Sequence, residues 1–229
     1  MRSSVPIGLL VFLTAPLVAR GAEPLAAWIR AEPPGRAAMA TGGGAPVEAS
    51  PAVDFGLAPG QSLHAILRTS LGVIDCTLAT DDAPGSVKAF VDLARGLRPW
   101  VDPRSGAEVI RPLYDGTLFH RVIPGFLIQG GDPTGTGAGG PGFSIPDELG
   151  PESRFDGPGV LAFANRGPNT NGSQFFVTDG PAHHLDGRYT RLGICGNLPV
   201  IAAIARVPRG EANRPVQPPV LRAVEIAAR

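Results

Sequence analysis

From Ser62 onward the chain breaks into short apolar runs with recognisable periods. SLHAILRT and GVIDCTLAT alternate apolar and polar positions and meet through Ser70-Leu71-Gly72, which predicts a hairpin. DDAPGSVKAFVDLARG changes period: Val87, Phe90, Val91 and Ala94 fall at i, i+3, i+4, i+7. This predicts a helix capped by Asp82, with Pro84 in its first turn and Gly96 at its end. RPWVDPRSGAEVIRPLYDG reads as a long polar connection, and TLFHRVI and FLIQ as strands. After the glycine-rich loop GGDPTGTGAGGPG come the strands GVLAFA, QFFVTD and TRLGIC, the second entered through an Asn171-Gly172 turn. LPVIAAIAR predicts a second helix and PPVLRAVEIA a last strand. About eight strands and two helices without βαβ alternation predict a mainly β fold, a closed eight-stranded antiparallel barrel capped by two α-helices.

The first sixty residues differ. Arg2 and the apolar run VPIGLLVFLTAPLVA precede a small-residue cleavage site, Ala19-Arg20-Gly21, so 1–21 read as a signal peptide. An uncleaved anchor is the weaker alternative, because the run is short and holds Pro6 and Pro16. Residues 22–60 are rich in Ala, Pro and Gly and read as a flexible lead, with a helical turn at LAAWIRA. The domain proper is expected over 61–229. An exported, periplasmic location follows, and the expected solution state is a monomer.

Composition narrows the partners. Lys+Arg and Asp+Glu both number 20, and no basic run stands out, so nucleic acid has no electrostatic footprint. No membrane contact is expected beyond export. Cys76 and Cys195 sit in predicted strands, and an exported chain admits either one bridge or two buried thiols.

The candidate chemistry lies in FHRVIPGFLIQGGD, NRGPNTNGSQFFVT and HLDGRYTRLG. Together these blocks resemble the three signature blocks of the cyclophilins, the cyclophilin-type peptidyl-prolyl cis-trans isomerases. The resemblance runs from about Leu63 to about Ala227. It implies a capped eight-stranded barrel, prolyl isomerisation in exported proteins, no cofactor, and proline-containing peptide segments as partners.

That reaction explains the absence of a nucleophile. Rotation about X-Pro faces a barrier of roughly 18–20 kcal/mol, and no bond has to break. The enzyme has only to favour the twisted imide over the planar one. By resemblance Arg121 aims its guanidinium at the prolyl nitrogen, whose lone pair localises as the bond twists. Gln129 orients that arginine and contacts the substrate backbone, and His120 either lines the site with hydrogen bonds or is a satisfied structural histidine. The resemblance implies a proline slot of Phe126, Leu127, Phe176 and Leu185, and peptide contacts from Ala164, Asn165 and Gln174. Phe119 and Phe175, one position off, should point inward.

Departures from the family pattern are also legible. His184 stands where many members carry tryptophan, which implies weak cyclosporin binding. Tyr189 stands where they carry histidine and still offers an aromatic face. Arg166 replaces a small residue beside Asn165 and charges or crowds a subsite. The residues around 98–112 exceed the minimal spacing and can form a flap or partner surface.

Other readings fail. GTGAGGPG lacks a following helix and a Gly-Lys-Ser/Thr, so it does not cradle a phosphate. His183 and His184, if on a strand, would face opposite ways, and no metal site is expected. Two function classes remain: an active isomerase, and a proline-peptide binding or chaperone module that uses the same groove without turnover.

Overall fold

The computed structural model describes residues 53–229, so the expected signal peptide and most of the expected lead lie outside the described residues. β1 (Leu63–Thr69) and β2 (Gly72–Leu78) form the expected antiparallel hairpin. Leu63, Ala65, Leu67, Ile74, Cys76 and Leu78 all enter one core, as a period of two requires. Just ahead of β1, Phe55 and Leu57 pack on that core, although residues 53–60 contain no helix or strand.

α1 (Pro84–Arg95) buries Val87, Phe90, Val91 and Ala94, the four positions its period selects. Its end is as expected: Gly96 is left-handed (φ 67°), and a Cβ there would lie 2.4 Å from the Arg111 carbonyl carbon. Its start is not. Asp82 does not cap it; Ala83 holds the N-cap position and provides no side-chain bond. The Glu148 carboxylate instead accepts the Gly85 and Ser86 N–H groups at 3.1 and 2.6 Å. Asp82 is drawn to Arg191, 3.0 Å away, and the distant carboxylate takes over the orphan donors of the first turn.

The stretch read as a polar connection is a hairpin of β3 (Trp100–Val101) and β4 (Glu108–Val109). Trp100 is buried in the main core, and its indole N–H donates to the Arg111 carbonyl at 2.9 Å. Arg111 lies over the same ring and pairs with Asp102 at 2.6 Å. The hairpin docks on the end of the glycine-rich loop: the Val101 N–H donates to Pro141 O at 3.0 Å, and Arg98 covers the Phe143 ring at 3.8 Å.

TLFHRVI is two strands rather than one. β5 (Thr117–Leu118) pairs with β11 (Val220–Ala228), whereas β6 (Arg121–Ile123) pairs with β7 (Leu127–Gly130). β8 (Val160–Phe163), β9 (Phe175–Thr178) and β10 (Arg191–Cys195) complete a nine-stranded antiparallel sheet in the order β5-β11-β1-β2-β10-β8-β9-β7-β6. The expected closed barrel of eight strands is therefore a nine-stranded ladder, open between β5 and β6. The cause is the break at Phe119-His120, which sends the two halves of one run to opposite ends of the ladder. A single Leu118–Asp132 bridge links β5 to the residues after β7.

α2 (Leu198–Ala205) follows β10, and Cys76 on β2 and Cys195 on β10 face each other in register, joined as a disulfide. The expected Asn171-Gly172 turn is displaced. The left-handed residue is Asn169 (φ 60°), while Asn171 is fully buried and its carbonyl accepts the Ile145 N–H at 2.7 Å.

Two apolar clusters lie on opposite faces of the same strands. Val122, Ile128, Leu161 and Val177 belong to the main core, together with Phe119 and Phe175, which point inward as expected. Leu127, Ala162 and Phe176 belong to a smaller cluster on the other face. β8 and β9 are consequently buried along their whole length.

Candidate active site

The smaller cluster and the row of residues beside it form the candidate site. Register pairs Arg121 with Gln129, Gln129 with Phe176, and Phe176 with Ala162. One face across β6, β7, β9 and β8 therefore runs from a cation through an amide to an aromatic ring. A guanidinium N–H of Arg121 donates to Gln129 Oε1 at 3.3 Å, and Gln129 Nε2 donates to Gln174 Oε1 at 3.0 Å. Gln174 Nε2 then donates to the Gly137 and Gly139 carbonyls at 3.0 and 2.8 Å. The glycine-rich loop thus fixes both amides and, through them, the arginine. Burial lowers the Arg121 pKa from its ordinary value, and the Tyr189 phenol opposes the shift. A guanidinium is so strong a base that the group remains a cation at neutral pH.

Beside this row lies an apolar slot. Phe176 meets Tyr189 edge-on, with centroids 5.5 Å apart and planes at 87°. Leu127 and Leu185 are buried against it, and Phe126 and Ala164 are half-buried on its rim. His184 is exposed, with its ring 5.2 Å from that of Phe126. Asn165 donates its side-chain amide to the Arg188 carbonyl at 3.0 Å, and its Oδ1 accepts the Gly167 N–H at 3.3 Å. The Asn165 backbone N–H and C=O meet no protein partner among the described residues, so an extended chain could pair there.

The chain matches the family model "Cyclophilin type peptidyl-prolyl cis-trans isomerase/CLD" over residues 64–226. It is 46% identical over 173 residues to peptidyl-prolyl cis-trans isomerase B of Streptomyces anulatus, an alignment covering 74% of this chain and 99% of that one. It is 44% identical over 172 residues to peptidyl-prolyl cis-trans isomerase A of Mycobacterium tuberculosis, covering 74% and 94%. The chain belongs to the cyclophilin-type peptidyl-prolyl isomerases. Among solved structures it resembles a Cryptosporidium parvum cyclophilin-type isomerase, with a TM-score of 0.62, 32% identity, and coverage of 73% of this chain and 98% of that one. A second structure of that protein, determined in the presence of the dipeptide Ala-Pro, matches with a TM-score of 0.61, also at 32% identity, covering 72% and 98%.

In this cyclophilin the structure brings Arg121, Gln129 and Gln174 into one hydrogen-bonded row, and Phe126, Leu127, Phe176, Leu185, Tyr189 and Ala164 around one slot. His120 is apart from both. It is 5% exposed, neither ring nitrogen makes a well-formed hydrogen bond among the described residues, and its ring abuts Gly137, where a Cβ would come within 3.1 Å. Burial pushes its pKa down, with Asp132 and the Leu118 backbone opposing and Arg214 and Arg121 adding to the shift, so the ring is held neutral.

Sequence reasoning missed two contributors. Phe155 is fully buried and stacks on Phe176 at 5.6 Å, forming the floor of the slot. It is placed by Asp186, which accepts its N–H at 2.8 Å. Asp132 is the hub of the glycine-rich loop. Its carboxylate accepts N–H groups of Thr134, Gly137 and Gly139 at 2.8, 2.6 and 3.1 Å. Burial alone would raise its pKa, but these bonds together with the Thr134 hydroxyl outweigh it and lower the value. The only sequence signal for this was an aspartate followed, after Pro133, by a run of Gly and Thr.

His183 and His184 lie in a 3-10 turn, His183–Leu185, not on a strand. Outside the slot, ligand atoms of Asp156, His183 and Asp186 come within 4.8 Å of one another, but Asp156 already pairs with Arg154 at 3.0 Å.

Proposed function

We propose that this cyclophilin accelerates X-Pro rotation by stabilising the twisted imide with Arg121. Substrate proline enters the slot of Phe126, Phe176, Leu185 and Tyr189, where an apolar ring gains by leaving water. The chain on one side of proline pairs with the free backbone groups of Asn165. As the bond twists, the nitrogen lone pair is no longer shared with the carbonyl and accepts a hydrogen bond from the guanidinium. That bond is weak to the planar imide and strong to the twisted one, which is the differential binding that catalysis needs. Gln129 and Gln174 hold the arginine at its angle. The observation that carries this reading is the single hydrogen-bonded row from Arg121 to the glycine-rich loop, lying beside an apolar slot.

The proposed clients are proline-containing segments of exported proteins, met by a monomer in the periplasm. The signal-like residues 1–21 and the Cys76–Cys195 disulfide support that location, since structural disulfides persist in oxidising compartments. Two measurements test the reading. The residues beyond 21 should accelerate cis-trans exchange of a proline tetrapeptide, and fractionation should find the protein outside the cytoplasm. Binding of the tetrapeptide without acceleration would leave a holding module instead.

A further inference from the structure

Arg166 follows Asn165 on the groove wall and is the least expected residue there. Its backbone N–H donates to Thr170 Oγ1 at 2.8 Å, and its guanidinium donates to the Ala138 carbonyl at 2.5 Å. Ala138 lies between Gly137 and Gly139, the two residues whose carbonyls hold Gln174. The guanidinium is therefore pinned beside the same row that positions Arg121. Among the described residues its guanidinium makes this one hydrogen bond, and a guanidinium has five N–H donors in a planar fork suited to a carboxylate.

No carboxylate among the described residues lies within ion-pair distance of Arg121 or Arg166. Among the described residues neither Arg121 nor Arg166 forms an ion pair, a state they share with several arginines away from the groove such as Arg95 and Arg209. Asp147, which pairs with the 166–171 loop, directs its carboxylate to the Asn169 N–H at 2.7 Å and the Asn171 amide at 2.8 Å and not to Arg166. The Arg188 carbonyl accepts the Asn165 side-chain amide at 3.0 Å and so fixes the residue next to Arg166. Two guanidiniums without ion-pair partners, Arg121 and Arg166, thus border the groove on a chain whose formal charge is zero.

We propose that Arg166 makes this enzyme selective for prolyl segments that carry an aspartate or glutamate close to the proline. The proposal rests on the isomerase reading above. A peptide paired with the Asn165 backbone passes alongside Arg166, and a carboxylate there fills the unused fork. Lysine at the same place meets like charge. The attraction acts partly in solvent, so its size is that of an exposed ion pair.

The test uses a proline peptide series with Glu, Gln or Lys at successive positions on either side of proline. Both kcat/KM and calorimetric affinity are read. At low salt Glu should exceed its isostere Gln by about two- to fivefold at one position, with Lys below both. In 1 M NaCl, where the screening length is about 3 Å, the ratio should approach one. Arg166→Ala should abolish the Glu/Gln ratio, and Arg166→Lys should keep part of it. A ratio near one at every position overturns the proposal, as does a ratio unchanged in Arg166→Ala. If no peptide is turned over, the isomerase reading fails by itself, and the affinities still decide the acidic preference.

Discussion

Arg121 and Gln129 are direct cross-strand partners on β6 and β7, and the guanidinium of the first donates to the amide oxygen of the second at 3.3 Å. The other end of that amide donates onward to Gln174, so its orientation is set from both sides. Gln129→Ala should release the arginine from its angle and lower turnover by roughly ten- to a hundredfold, with a smaller change in peptide affinity. Gln129→Glu should also lose activity, because a carboxylate would attract the guanidinium and would no longer donate to Gln174. Steady-state kinetics beside calorimetry on the same peptide checks both, and full activity in either variant would show that Gln129 does not position Arg121.

Cys76 and Cys195 close a loop of sequence separation 119. In the chain-entropy picture such a bridge restricts the unfolded state by up to about 5 kcal/mol, and the usual measured range is about 2–4. A Cys76→Ala/Cys195→Ala protein should unfold at markedly lower denaturant and still adopt the same fold, since both positions suit small core side chains. Equal unfolding midpoints with and without reductant would mean that the bridge is not formed.

His120 sets a pH dependence with a definite sign. Its folded pKa lies below its unfolded value of about 6.5, so the unfolded state binds the extra proton more readily. Stability from this group is complete above about 6.5 and is lost as pH falls from there through the folded pKa. Asp132, also lowered, acts in a separate window below about pH 4. Thermal unfolding between pH 7.5 and 5 should show a decline that His120→Gln reduces. An identical decline in that variant would assign it to other groups.

The elements whose buried face was readable from the chain were those long enough to repeat a period. β1, β2, α1 and α2 each show the apolar spacing their burial requires. β3 and β4 have two residues each, too few for any period, so a docked hairpin was read as a connection. The break between β5 and β6 was hidden for a related reason: TLFHRVI is a single good strand until its ends find different partners. Glu148 capping α1 is a contact across more than sixty positions, and the Cys76–Cys195 pairing requires β2 and β10 to be neighbours, which local pattern does not encode. Within the site, motif residues were legible, whereas Phe155 lies in a stretch without pattern and is placed by Asp186.

The N-terminal boundary of the folded unit can be measured. Phe55 and Leu57 cover part of the main core, so a chain starting at 53 should match the longer protein in stability. A chain starting at 61 should lose about 1–3 kcal/mol by exposing what those two side chains cover. Both should retain turnover at low temperature, because no residue of the slot or the row precedes 121. Equal stability of the two chains would show that the 53–60 packing contributes nothing.

The most direct test of the account is Arg121→Ala, with turnover and peptide affinity measured on the same preparation. If the guanidinium acts on the twisted imide, turnover should fall by roughly two to three orders of magnitude, the scale of one lost transition-state donor at about 3–4 kcal/mol. Affinity should fall far less, because Phe126, Phe176, Leu185 and Tyr189 still hold the proline ring. Arg121→Lys should recover little, since an ammonium has the charge without the planar fork. Equal losses of affinity and turnover, or near-normal turnover, would contradict the mechanism.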